Sequence, residues 1–482
     1  MKDMGGDNLK ARAPRAGLSE SHMDKNRQFF ICLSVLVFLL QVSSFMYFFL
    51  LYDVFVIQLS SLSGGILFVV LTVSSYGVGY YLLARYSKQI NIQGQKSDIP
   101  YLRSMFHAVR IIFFITAAIL AIIILQILIT SQYYVGLSLA IVLAGYLLAA
   151  VNAGLLGYKM LSWYRMKHNL ATLLFGITFV TAAIGFSNIA IVNSAFFFSV
   201  NPYLTEQYYV EYGYPPDHND GDPVPHFFLI KSDSLFALYQ LTMNILRAPY
   251  FLMWASAIVL VRNYSKTMGI GKFLLITVLP GLIYPITIFE SVSGGVFPSL
   301  FASLYGGSSL ALAGLFVAII FFVSAKNMKG IHASQNNAIS QYLIITGFGF
   351  LLALVASSPA AHVIDRIHTP FPPFATLTWA FLGFSAYLVS TGFYLSAIRI
   401  SQDIGLRKSI RQVATEESSS RLLDNIGTAQ MEQAIQDRVQ KIAKEQEESL
   451  KKETGVRQEV SQEDVESYVK EVLEEVKKIR RK

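Results

Sequence analysis

The sequence predicts an all-α fold: a polytopic membrane helix bundle of about ten transmembrane helices, N-in and C-in, with a helical cytoplasmic C-terminal tail. Three observations predict it. Ten long apolar runs lie between Phe29 and Ile398, hydrophobic residues make up 53% of the 482-residue chain against 15% charged, and the basic charge of the loops alternates. Loops 84–110, 159–168, 262–272 and 325–330 hold thirteen Lys and Arg, whereas the five on the other side hold two, Lys231 and Arg366. Basic residues beside a span stay cytoplasmic, so this alternation orients every run and places both termini inside.

Residues 1–28 form a polar N-terminal tail with six Lys and Arg. The first run follows it and continues to about Tyr52 without a small-residue cleavage site, which predicts a retained span rather than a signal peptide. Cys32, the only cysteine, lies in that run. One cysteine excludes disulfides within the chain and thiolate metal clusters.

The transmembrane domain, 29–398, divides into spans at 29–52, 63–83, 107–129, 134–158, 170–199, 234–261, 273–289, 308–324, 340–356 and 375–398. Most reach or approach the roughly 20 residues a helix needs to cross about 30 Å of hydrocarbon. Near-continuous apolar runs, rather than alternation, favour helices over a barrel. Span seven contains Pro280, Gly281 and Pro285, so a kink or local unwinding is expected there. Between spans seven and eight, residues 291–309 carry Gly294 and Gly295 at one end and Gly306 and Gly307 at the other. A re-entrant or interfacial helix is one expectation for that stretch, and an apolar loop lying on its neighbours is the other. Gly347, Gly349, Gly383 and residues 154–157 read as points of close helix packing, and Gln41, Gln126, Asn152, Asn188 and Asn193 as interhelical hydrogen-bonding groups.

Residues 399–482 form the tail. It reads as helical throughout, starting as a direct continuation of the tenth span, since Gly405 is the only Gly or Pro between Ile398 and Val413. Ile435, Val439 and Ile442 form a short stripe of coiled-coil type. After a break near Gly455, Ser461 and Asp464 are placed as a capping box, and Val465, Tyr468, Val472, Val476 and Ile479 mark one apolar face. Such a face needs a partner surface, so self-association, docking on the membrane domain or a protein partner through residues 430–482 is expected. Seventeen basic and seventeen acidic residues in the tail cancel. The net charge of +8 therefore sits at the membrane interface, where it suits anionic headgroups and not nucleic acid.

Arg247 is the one ionisable residue near the middle of a span, and Gln240 and Asn244 precede it by seven and three residues on the same helical face. An intramembrane charge costs on the order of 3 kcal/mol on insertion scales and by default marks function. An anion or substrate contact, or an ion pair with Glu290, is the functional reading; snorkelling to the outer interface is the alternative. The external face is acidic. It includes the loop 200–233, with Asp217, Asp220, Asp222, His218 and His226, and a later loop with His362 and His368. Histidine and carboxylate together are the donors of a divalent cation, so a site for an external divalent cation is one reading of these loops, and a solvated, turn-forming acidic surface is the other. Residues 217–228 do not meet the EF-hand pattern, because Gly221 stands at position five and Phe228 at position twelve.

No zinc-protease, phosphate-loop or nucleophile-elbow signature is present, and a non-enzymatic protein of the plasma membrane is expected. The first functional expectation is a sensor or signalling scaffold that couples an external site to the tail. The second is a secondary transporter or channel with a polar path around Arg247.

Overall fold

The computed structural model describes residues 17–51, 62–94, 100–130, 132–199, 209–211, 233–262, 269–271, 273–274, 277–278, 299–331, 337–357, 373–414 and 418–454. Twelve long or short helices account for almost all of them: α1 (Gly17–Leu51), α2 (Leu62–Gly94), α3 (Pro100–Thr130), α4 (Val135–Met166), α5 (Leu170–Ser199), α6 (Asp233–Val261), α7 (Ser299–Ile331), α8 (Asn337–Ser357), α9 (Pro373–Ala380), α10 (Leu382–Gln402), α11 (Ile404–Ala414) and α12 (Ser418–Thr454). Two three-residue strands, β1 (Gln132–Tyr134) and β2 (Tyr209–Glu211), pair antiparallel with Tyr133 opposite Val210.

Among the described residues, eight stretches are long and apolar enough to cross a membrane: Arg27–Tyr47, Ser63–Arg85, Arg103–Ile129, Gly136–Met166, Leu170–Ala195, Ala311–Met328, Ala338–Ser357 and Pro373–Gln402. They coincide with expected spans one to five and eight to ten. α6 covers expected span six, with a shorter apolar stretch at Ala248–Val261. Most of span seven, 279–289, lies outside the described residues. Eight apolar helices of this length are compatible with a multi-pass membrane protein.

Three boundaries differ from expectation. α1 begins at Gly17, so its helix reaches well into the polar N-terminal tail. α7 begins at Ser299 and runs unbroken through Gly306 and Gly307. Residues 299–309 are therefore its first turns and not a separate re-entrant helix; two glycines cost a helix only about 1 kcal/mol each. The tail is also not a direct continuation of the last span. α10 stops at Asp403, whose extended backbone (φ −112°, ψ 107°) starts a new helix. Its carboxylate accepts the Leu406 N–H at 2.9 Å and its carbonyl the Arg407 N–H at 3.0 Å, the bonding of an N-cap.

The helices pack around α9 and α10. These form one span interrupted only at Phe381, where the backbone N–H donates to the Thr378 carbonyl, three residues back, at 3.1 Å. That tighter turn bends a helix without proline. Of the Pro373–Gln402 window, 94% is buried. α4, α8, α1 and α3 surround it, and three glycines let backbones approach. A β-carbon on Gly145 of α4 would stand 2.3 Å from the Trp379 carbonyl oxygen, one on Gly349 of α8 would stand 2.7 Å from the Val389 nitrogen, and one on Gly383 of α10 would press into Leu148. Small residues at such seams are what lipid-embedded helices use to associate, since hydrocarbon supplies no solvent-driven attraction.

Aromatic rings fill the remaining space. Phe175, Phe321, Phe350 and Phe393 come from α5, α7, α8 and α10 and meet with centroids 5.5–6.3 Å apart. Tyr76, Phe113 and Phe381 do the same where α2 and α3 reach the bend. Polar links between helices are few and specific: Ser43 donates to the Phe374 carbonyl (2.8 Å), Tyr76 to Thr116 (3.0 Å), Tyr250 to Ser357 (2.9 Å) and Tyr394 to the Leu155 carbonyl (3.1 Å).

The outward faces are apolar. Ile115, Ile122, Leu125 and Ile129 of α3, and Ile177, Ile184 and Ile191 of α5, are all exposed at helical spacing. Apolar faces of this kind are compatible with contact to lipid. The end of the bundle carrying Arg85, Arg103, Arg165, Lys167 and Lys326 is the basic end.

Candidate functional site

At the basic end α4 and α5 form a tight hairpin. Lys167 closes α4 by donating its N–H to the Trp163 carbonyl at 2.9 Å, and Asn169 caps α5 through its side-chain oxygen, which accepts the Ala171 N–H at 2.8 Å. The hairpin leaves the last turns of α4 presenting Lys159, Trp163 and Lys167 along one line, four residues apart, as a helix requires.

The tail helix α12 closes on that line. Gln430 accepts the Trp163 indole N–H at 3.2 Å, Glu432 pairs with Lys167 at 2.7 Å, and Gln433 accepts from the Lys159 ammonium. Lys159 also lies over the Trp163 ring, 5.7 Å from its centroid, a cation–π contact. On the opposite flank Asp424 pairs with Arg411 of α11 at 3.4 Å, and the Met431 sulfur meets the Arg407 guanidinium.

Beneath these polar contacts Leu422, Leu423, Ile426 and Ala429 are buried. Gly427 sits so close to α10 that a β-carbon there would meet Ile400 at 2.2 Å. α12 is therefore clasped from two sides, by α4 and by the short α11 that turns it back. It seals the end of the central span.

The Lys167–Glu432 pair is partly exposed, with side chains 31% and 17% accessible, so it orients α12 more than it stabilises it. The buried apolar face and the Gly427 approach carry the docking.

Sequence reasoning identified the tail as an apolar-faced helix but chose a different face. Ile435 and Val439 are half-buried and Ile442 is exposed, whereas Leu422, Ile426 and Ala429, spaced four and three apart, make the contact. The missed signal was local, a small-residue helix face with Gly427 at its middle. The partner surface on α4 lies some 270 residues away in the chain, and no local pattern announces it.

The expected site residues fall as follows. Gln240, Asn244 and Arg247 lie on α6 with Pro249 inside the same helix; their side chains lie outside the described residues. Glu290, Asp217, His218, Asp220, Asp222, His226, His362 and His368 lie outside the described residues, as does the apolar face expected at 465–479. No group of three or more metal-ligating side chains occurs among the described residues. Of the glycines read as packing points, Gly347, Gly349, Gly383 and Gly157 each adjoin a neighbouring helix within a β-carbon's reach.

Of the polar residues expected to link helices, Gln126 bonds across the α3–α4 turn and Asn152 bonds within its own helix. Gln126 accepts the Tyr134 backbone N–H at 3.1 Å, closing the turn between α3 and α4. Asn152 donates back to its own helix at the Leu148 carbonyl, 2.7 Å away. No family model, no curated protein and no solved structure matches this chain.

Proposed function

We propose that this chain is a non-enzymatic sensor or signalling scaffold, a multi-pass protein of the plasma membrane with both ends cytoplasmic, whose tail is held against the bundle and repositioned when the bundle rearranges. The observation that carries this reading is the clasp of α12 between α4 and α11 beneath the central span. A tail joined to α10 through the Asp403 break receives any shift of that span through Ile400 and Gly427. A continuous rod would have transmitted rotation; a clasped helix transmits release. Partner recruitment then falls to the surface that release uncovers, together with the stripe of half-buried Ile435 and Val439 and exposed Ile442.

The reading is tested with Lys167→Cys and Glu432→Cys in a Cys32→Ser background, in native membranes. The expected result is efficient cross-linking at rest, decreasing when an external divalent cation is added or chelated. Cross-linking that stays constant across cation, pH and osmotic conditions overturns the sensor reading.

A second reading, a secondary transporter or channel, draws on α6. Arg247 is the fifteenth of its 29 residues, and Pro249 has no N–H to give the Ile245 carbonyl. A charge beside an opened backbone suits a path lined by Gln240, Asn244 and Arg247, with Glu290 as the opposite charge. In reconstituted vesicles Arg247→Gln is expected to abolish substrate flux without loss of folded protein. No flux from the unaltered protein across a panel of anions, cations and small solutes removes this reading.

A further inference from the structure

A cleft of about 320 Å³ opens between α1, α7 and α8 at the basic end. Its walls are Phe30, Phe322, Ile344 and Phe348, and its two polar groups are Lys326 and Ser340. This composition, apolar walls with a few placed polar groups, is that of a ligand site.

Ser340 is fully buried and its hydroxyl has no hydrogen-bond partner. Serine and threonine inside a helix ordinarily donate to the carbonyl four residues back, as Ser324 does to Ile320 and Thr346 to Tyr342 nearby. A buried hydroxyl left without an acceptor costs free energy, and this one lines the cleft.

Lys326 lies one turn beyond Phe322 on α7. It is exposed and makes no ion pair among the described residues. No carboxylate lines the cleft among the described residues. Phe30 is near the start of its span, Lys326 near the end of its own, and Ser340 near the start of the next. All three therefore stand at one level, where hydrocarbon gives way to headgroups if the bundle spans a bilayer.

We propose that this cleft binds an anionic membrane lipid. The acyl chain lies against Phe30, Phe322, Ile344 and Phe348, the Ser340 hydroxyl donates to an ester carbonyl, and the Lys326 ammonium pairs with the phosphate. The walls match a hydrocarbon chain, the orphan hydroxyl matches a neutral acceptor at glycerol depth, and the unpaired cation matches a negative headgroup. The site rests on the membrane-spanning reading of the bundle.

The test reconstitutes the full chain in vesicles containing traces of phosphatidylglycerol or phosphatidylcholine with a photoactivatable acyl chain, then maps the labelled peptides. Labelling of the cleft is expected to favour phosphatidylglycerol about fivefold, which is what roughly 1 kcal/mol per basic side chain at the interface gives. Lys326→Gln, at an exposed position, should bring that ratio close to one. Ile344→Trp, which fills the cleft, should remove labelling by both lipids.

Equal labelling by the two lipids in the unaltered protein, or a ratio unchanged in Lys326→Gln, overturns the proposal. So does complete displacement of the label by free fatty acid at low concentration, which would assign the cleft to a soluble ligand. Labelling of Ile122 and Leu125 on the outer face of α3 separates the two levels of failure. If that face is labelled and the cleft is not, the lipid site falls alone. If neither is labelled, the membrane reading falls with it.

Discussion

α3 and the α9–α10 span are opposites. α3 is the most apolar of the eight candidate spans, yet only 28% of its window is buried; the α9–α10 span is the least apolar and is 94% buried. A water-soluble protein arranges its helices the other way, with the greasiest at the centre. The reversal is the arrangement compatible with hydrocarbon, rather than water, as the surroundings of this bundle. Where the surroundings are themselves hydrocarbon, Ile and Leu gain nothing by leaving them, and the centre goes to the helix that packs most closely. Thr378, Ser385 and Thr391 lower the cost of that burial by donating to carbonyls of their own helix at 2.7 Å each.

The contrast is broken most severely at the centre. Gly145→Val is expected to cost about 3 kcal/mol or more, because the obstacle is the Trp379 backbone carbonyl, which has no rotamer with which to escape. A collapse of the detergent melting temperature and loss of monodisperse protein would register it.

Next comes Ile115→Lys on the outer face of α3, where the residue is 50% exposed. Against hydrocarbon this change costs about 3 kcal/mol on insertion scales and should lower the membrane-inserted fraction; in water it would be harmless. Unaltered insertion would reverse the lesson of the two helices.

A third substitution moves from the central span to its seal. Gly427→Leu should loosen α12 by about 1–3 kcal/mol, less than at Gly145 because Ile400 is a side chain that yields. Hydrogen exchange should rise in residues 418–454 while the spans stay protected.

Lys167→Glu should have a smaller effect of the same kind, below about 1 kcal/mol, since its pair with Glu432 is partly exposed. Added salt should reproduce much of it in the unaltered protein. Smallest of all, Ile122→Ala on the outer face of α3 should change the melting free energy by no more than about 0.5 kcal/mol, whereas Leu388→Ala at the centre should cost several times that.

Much of this arrangement was legible in the residues. Apolar runs located eight spans, and glycines such as Gly349 and Gly383 marked the seams, because both signals are local. What hydropathy could not rank was burial: by that measure α3 looks like a core and the α9–α10 span like a periphery, and only the solvent decides between them. The Asp403 break was equally hidden. An aspartate followed three residues on by Leu406 is an ordinary helix start, but no residue there forbids continuation, and the choice is made by α12 folding back onto Trp163 and Lys167. The polar stripe of Arg247 and the external histidines were visible as chemistry only, since convergence of groups far apart in sequence is a property of packing.

The position of the central span in the chain sets a timetable. At synthesis rates of roughly 5–20 residues per second, the ribosome finishes Thr130 at the end of α3 some 10–50 s before it reaches Gln402. During that interval the earlier helices stand around a place that nothing yet occupies. Pairs that do not involve the last span, such as the α4–α5 hairpin and α7 with α8, can pack as they emerge, while the notches at Gly145 and Gly349 stay unfilled until that span arrives. A nascent chain halted before residue 373 would thus hold paired helices without the span that joins them into one core.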